Sequence, residues 1–268
     1  PVALADIDHI EVLEGAASRI FGTSAFNGAI NIVTKKAKND GVSASVEGGS
    51  FGSFGAQGRV QVAYAKGKWT HAYSASGGYK RSDGGTENSD FEKGQGFGQV
   101  NLSYDQRFDI NAQVGISTQS YGANTFYSAK YNNQYEKTDH GMASLNLSLH
   151  NQEKTWEIAP QFYYNKFKDH YQLIRGMAGA KAGENYHDLD VYGGGLNANV
   201  AWALGKTAVG FDISKECIYS TALGEELVEK DYKDISGSDR QYTRKGERTN
   251  TNIMLEHNFI FGGFTLSA

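Results

Sequence analysis

The sequence predicts an all-β membrane barrel, and three features point to it. From Gly41 onward apolar and polar residues alternate, the period of a strand with two unlike faces. The alternating stretches are joined first by a tight turn and then by a long polar connection, over and over, as in outer-membrane barrels. No apolar run reaches the ~18 residues that a membrane-spanning helix needs.

In chain order, the first elements are two β-like runs, Ile10–Leu13 and Ala29–Thr34, linked by a helix-compatible piece, Ala16–Phe21. Gly15, Gly22 and Gly28 stand at the joints, where glycine permits a sharp turn or a close backbone approach. Alternating strands follow. In Gly98–Tyr104, Val100, Leu102 and Tyr104 share one face, and Gln99, Asn101 and Ser103 the other. Ala112 and Val114 oppose Asn111 and Gln113, Leu145 and Leu147 oppose Ser144, Asn146 and Ser148, and Phe211 opposes Gly210 and Asp212. Near the end, Ile253, Leu255 and Phe259 oppose Asn252, Glu256 and Asn258. A soluble sandwich would alternate too, so the connections matter more. Tight turns are expected at Gly67-Lys68, Gln106–Asp109, Asn151–Lys154, Gly205-Lys206 and Gly262-Gly263. Long polar loops are expected over Arg81–Gln95, Tyr121–Thr138, Lys168–Asn185 and Ser220–Glu247, with one short outer hairpin near Ser50–Ser53. Trp69, Tyr79, Tyr104, Trp156, Tyr164, Trp202 and Phe261 lie near strand ends, where a membrane aromatic girdle places such rings.

Composition agrees and excludes several classes. The chain has 33 glycines, 16 tyrosines and 14 phenylalanines against 2 prolines, a mixture suited to strands and interfaces. A net charge of −4 without a basic block leaves no nucleic-acid footprint. Lone Cys217 has no disulfide or zinc-spaced partner. The seven histidines are scattered, with His140, His150 and His257 in or beside strands as surface or interfacial residues. No G-x-S-x-G elbow or phosphate-binding loop occurs, and the chain reads as a non-enzyme.

Residues Ile7–Lys36, IDHIEVLEGAASRIFGTSAFNGAINIVTKK, closely resemble the end of the plug domain of TonB-dependent outer-membrane receptors. The family form is I-E-V-L-x-G-P-x-S-x-L-Y-G, a small-residue step, then G-x-I-N-I-x-T-K. It is met at Ile10, Glu11, Val12, Leu13, Gly15, Ser18, Gly22, Ala25, Gly28, Ile30, Asn31, Ile32, Thr34 and Lys35. Ala16 replaces the usual proline, and Ile20 and Phe21 replace leucine and tyrosine, keeping size and apolar character. The resemblance implies the last part of a plug over residues 1–38, then the N-terminal half of a transmembrane β-barrel over 39–268. Ten full strands and the start of an eleventh at Phe264 are counted, whereas the 22-stranded barrels have a lumen wide enough to hold a plug. The chain is therefore expected to be a fragment, lacking a signal peptide, the TonB-coupling segment and the later strands.

Site expectations follow. The loop YGANTFYSAKYNNQYE sets Tyr121, Phe126, Tyr127, Tyr131 and Tyr135 among Asn124, Asn132, Asn133 and Gln134. Aromatic area with adaptable amides suits a large amphipathic ligand or a protein partner, and it suits equally a loop packed over the barrel mouth. This segment also looks like the matching outer loop of Bacteroidetes cobalamin receptors. In the acidic loop Ser82–Lys93, Asp83 and Asp90 are candidate calcium ligands, as the cobalamin receptors imply, beside the alternative of a solvated acidic loop. Glu11 and Arg19 are expected to take part in plug–barrel charge pairing, as charged pairs do in the family, or else to be solvated in a wet lumen.

The resemblance implies TonB-dependent import of a scarce bulky nutrient, with cobalamin preferred over ferric siderophores, haem and glycans. It implies as partners TonB with its inner-membrane energising complex, the nutrient, outer-membrane lipid and a surface lipoprotein of the kind many Bacteroidetes receptors carry. The rivals are a passive porin-like barrel and a soluble all-β binding domain. No cofactor is expected apart from the candidate calcium.

Overall fold

The computed structural model describes residues 1–14, 28–261 and 264–267. A single 3-10 turn (Leu4–Asp6) leads into β1 (Ile7–Glu14), which pairs antiparallel with β2 (Gly28–Thr34) in a sheet of their own. Gly28 closes that pair at φ +143°, backbone that glycine adopts freely and other residues only under strain. Gly15, Arg19 and Gly22 lie outside the described residues.

The remaining long strands form one antiparallel meander: β3 (Gly41–Gly48), β4 (Phe54–Lys66), β5 (Trp69–Ser82), β6 (Phe91–Tyr104), β7 (Phe108–Gly122), β8 (Tyr135–His150), β9 (Trp156–Gln172), β10 (Glu184–Trp202) and β11 (Gly205–Ser220). Within the last long loop come three two-residue pieces, β12 (Glu225–Glu226), β13 (Lys233–Asp234) and β14 (Gln241–Tyr242). Then β15 (Arg244–Phe261) pairs with β11, and β16 (Phe264–Ser267) with β15. Among the described residues this gives ten long strands and a short eleventh, the number read from the sequence.

Residue-by-residue register shows why the two faces differ. Directly opposed partners share a face. Gln61, Ser74, Gln99, Gln113, Ser144, Tyr163, Gly193, Ser214 and Asn250 make one continuous polar row. One step along, Val62, Tyr73, Val100, Ala112, Leu145, Phe162, Gly194 and Ile213 make an apolar row on the other face. The polar face carries the N-terminal unit and is the inner one: Gln113 donates to Thr34 at 3.1 Å. The apolar face stays exposed across Val60, Val114, Ile158, Leu196, Phe211, Ile253 and Leu255. Meanwhile the most deeply buried side chains are Gln134, Asp6 and Ser220. A water-soluble protein does the reverse, and so wide an apolar surface calls for lipid.

Rings mark the turn end of this band, with Trp69 against Tyr104 at 4.9 Å and Trp202 against His257 at 5.7 Å between centroids. Along β9 the apolar outer face runs from Trp156 to Tyr164, nine residues, as a tilted strand of ~9–11 residues needs to cross a bilayer. Beyond it the outer face becomes charged: Lys166 contacts Asp188 at 2.5 Å and Asp190 at 2.7 Å. The upper ends of these strands therefore stand clear of the membrane.

Two expectations needed adjustment. The tight turn placed at Gly205-Lys206 sits at residues 203–204, and Gly205 opens β11 at φ +130°, where a Cβ would overlap the Asn258 carbonyl. His150, expected at the surface, is buried: its Nε2 meets Asp109 at 3.0 Å and its Nδ1 meets the Asn151 carbonyl at 2.9 Å, tying two turns together. The turn at Gly262-Gly263 lies outside the described residues.

Candidate functional site

Two places on the inner side carry concentrated chemistry. The lower one is the seat of the N-terminal unit. Asp6 ends the 3-10 turn fully buried, with one carboxylate oxygen on the Arg59 guanidinium and the other accepting from Ser76 Oγ at 2.5 Å. Arg59 also donates to the Lys35 carbonyl at 3.3 Å, so both ends of the β1–β2 unit meet on one arginine. Arg59 and Ser76 are direct cross-strand partners on β4 and β5, which fixes their convergence. A buried charge is tolerable only when paired in this way. Glu11, expected to take part in plug–barrel charge pairing, is exposed and accepts from Asn31 of the adjoining β2 at 2.7 Å, while Arg19 lies outside the described residues.

The upper place is the mouth, where loops 83–90, 123–134 and 173–183 meet. Arg175 joins them. Its guanidinium donates two bonds to Asp90, at 2.6 and 2.9 Å, and one to Asn88 at 3.1 Å, while its backbone N–H donates to the Asn133 carbonyl at 2.7 Å. Asn88 in turn donates to the carbonyls of Asn132 and Gln134, at 3.0 and 2.6 Å. The hydrogen bonds and charge of Arg175 hold the Asp90 carboxyl below its usual range. Asp83, the other candidate calcium ligand, contacts Arg81 at 3.3 Å. Among the described residues no group of three or more His, Cys, Asp or Glu side chains is arranged to hold a metal.

The expected aromatic set is divided between two faces. Tyr121 and Tyr127 converge inward on the Glu136 carboxylate, Tyr121 at 2.6 Å and Tyr127 in a shorter bond. Burial first, and then Glu136, push the Tyr127 phenol up to about 12, so it remains a donor at every physiological pH. Its ring lies edge-on to Tyr171 and to Phe126, at 5.3 and 4.8 Å. Phe126 and Tyr127 are 75% and 52% exposed, Tyr131 is also open, and these three make the accessible aromatic surface of the loop. Tyr135 faces outward instead, with Arg175 4.9 Å over its ring, and Asn124 is used internally, donating to the Glu87 carbonyl at 2.6 Å. Gln134 is the loop's internal anchor: it donates to the Tyr131 and Ser128 carbonyls and accepts from Tyr171 at 2.9 Å.

Sequence reasoning missed Arg59, Glu136, Tyr171 and Arg175. The alternation phase carries Tyr121, Glu136 and Tyr171 to one face and could have found them, since they are successive cross-strand partners. Nothing in the sequence links Arg175 to Asp90, 85 residues away.

Comparison with solved structures bears on the fold. The copper transporter OprC matches at 17% identity and a TM-score of 0.71, covering 96% of this chain and 40% of that one. The chain has the fold of that transporter's corresponding part. The unliganded ferric citrate transporter FecA matches at 16% identity and TM-score 0.70, covering 100% of this chain and 42% of that one. The ferric-catecholate import receptor Fiu from E. coli K12 matches at 14% and 0.71, covering 98% and 48%. The chain thus spans less than half the length of each of these proteins. No protein-family model matches the sequence, and no curated protein matches it either.

Proposed function

We propose that the chain belongs to a TonB-dependent importer of the Gram-negative outer membrane, one that takes up a scarce, bulky nutrient. The observation that carries the proposal is the β1–β2 unit held on the inner face by buried Asp6 and Arg59. An ordered element inside the wall separates a gated importer from an open pore. Residues 1–38 serve as the end of a plug and 39–268 as about the first half of a barrel closed by further strands, 22 in all.

In this mechanism Phe126, Tyr127 and Tyr131 meet the nutrient at the mouth, and TonB draws on the plug from the periplasmic side. Nutrient binding above must favour engagement below, which requires a coupling free energy between the two sites. Cobalamin is the preferred cargo, supported by the loop's large aromatic area and amides and by its likeness to cobalamin-receptor loops. Ferric chelates are the second reading, favoured by the cargoes of FecA and Fiu. A surface lipoprotein and lipid around the apolar band complete the set of partners.

The deciding experiment is equilibrium binding of cobalamin to the detergent-purified full-length protein, with a ferric siderophore as control. Tight, selective cobalamin binding assigns the cargo. Selective binding of the ferric chelate transfers the assignment to iron, and binding of neither removes both readings.

A further inference from the structure

We propose that Glu136 and Asp169 form a pH-operated catch for the aromatic loop: while one proton is shared between them, loop 123–134 lies docked on the inner wall, and its loss loosens the loop. The geometry comes first. Glu136 on β8 and Asp169 on β9 lie on the same inner face, because Glu136 opposes Tyr171 and Thr138 opposes Asp169 in the register. Glu136 accepts from Tyr127, the loop's inward hydroxyl, and from Tyr121 on the adjoining strand, the two hydroxyls themselves lying 3.5 Å apart. Asp169 Oδ1 is buried with no hydrogen-bond partner. No ion pair joins either carboxylate to a described Lys or Arg.

The groups facing the pair are few. Tyr121 comes from β7, Tyr127 from the loop, and Tyr171 from β9 with its hydroxyl committed to Gln134. His140 on β8 has its ring against Phe167 at 6.0 Å. His187 on β10 directly opposes Asp169 and is engaged with Ser220 at 2.8 Å. None of these supplies a fixed positive charge, so two ionised carboxylates side by side repel each other. The lowest arrangement keeps the proton on Asp169 and leaves the Glu136 oxygens to accept from both phenols.

Asp169 lies on β9 beyond Lys166, clear of the bilayer, and burial, then the charge of Glu136, push its carboxyl up to about 7. The sign follows from linkage. The docked loop sets Tyr127 beside Asp169, and the part of the raised pKa that this cover supplies favours docking fully below the carboxyl's ordinary value of about 4. That advantage is lost as pH climbs to about 7 and is constant above it. The proton goes to solvent and no other bond is made or broken. The catch operates without any nutrient, so its test is separate from that of the cargo.

The test is hydrogen–deuterium exchange of peptides covering 123–134 in the full-length protein in detergent, from about pH 4.5 to about pH 8, corrected for intrinsic exchange. Wild type should lose at least about tenfold in protection across that range, each unit of pKa shift being worth tenfold. Asp169→Asn, which removes one charge and keeps the shape, should stay protected with no pH dependence. Glu136→Gln keeps an acceptor for the phenols and removes the repelling charge, so it should stay docked with a smaller pH dependence than wild type, the part left by burial of Asp169, which serves if the first variant fails to assemble. A flat wild-type profile overturns the proposal. So does an unchanged profile in both variants, and so does loss of the profile in His187→Gln while Asp169→Asn retains it.

Discussion

Asp6 and Arg59 stand 53 residues apart in the chain and meet in an ion pair closed to solvent, with Ser76 completing the acid's partners. Removing one side leaves the other charged and unpaired in a dry place. Arg59→Ala should therefore loosen residues 1–14 and 28–36 by about 3–5 kcal/mol while leaving the strand meander assembled. Exchange of those peptides checks it, and unchanged protection would show the pair to be incidental.

Gly28 gives a backbone test. At φ +143° a β-branched residue is strained, so Gly28→Val should cost the β1–β2 pair about 1–3 kcal/mol. Uptake should fall while the amount of protein inserted in the membrane stays at wild type. Equal uptake by both proteins would remove the joint from the mechanism.

Arg175 should be the tie among the three mouth loops. Arg175→Ala is expected to raise exchange in 83–90, 123–134 and 173–183 together, whereas a change confined to one loop would mean that they move independently. Asp90 has a depressed pKa, so its contribution is present above its ordinary value near 4 and is lost as pH falls toward the lower folded value. The loops should accordingly loosen together on strong acidification, by under about 1 kcal/mol because the pair is partly exposed.

Calcium would have to compete with Arg175 for Asp90. Protection of loop 83–90 should therefore be unchanged by calcium in wild type and raised by it in Arg175→Ala if the loop has any affinity for the ion. A calcium response already present in wild type would establish Asp83 and Asp90 as ligands.

The exposed rings should carry the contact with cargo. Replacing Phe126 or Tyr131 with Ala should weaken capture by about 1–3 kcal/mol each, the range for an aromatic anchor. Tyr127→Phe should act through loop position instead, altering protection of 123–134 at least as much as affinity. Unchanged affinity in the first two variants returns the loop to a packing role.

Much of the fold was legible because each lipid-facing position leaves a mark every second residue, as Val100, Leu102 and Tyr104 do on β6. Loop limits were read too wide. Above the apolar band both faces are polar, so the ladder continues from Tyr135 to Thr138 and from Lys168 to Gln172 with no alternation to reveal it. The site was legible only in part. Composition drew attention to the ring-rich loop, but register puts Tyr135 on the outer face of β8, whereas Tyr127, in the loop, turns its hydroxyl inward to Glu136. The ties Asp6–Arg59 and Asp90–Arg175 depend on which distant strands become neighbours, and no local pattern encodes that.

The inner wall has a mechanical consequence. Gln99, Asn101, Asn111, Gln113 and Asn146 line it with neutral amides, which donate or accept as required and trade a neighbour for water at little net change in free energy. Among the described residues the N-terminal unit has one buried ionic tie to this wall, Asp6–Arg59, beside neutral contacts such as Gln113 to Thr34. If that unit is drawn along the wall as proposed above, release of Asp6 from Arg59 would be the costly step among these contacts, since each neutral amide can exchange its partner for water.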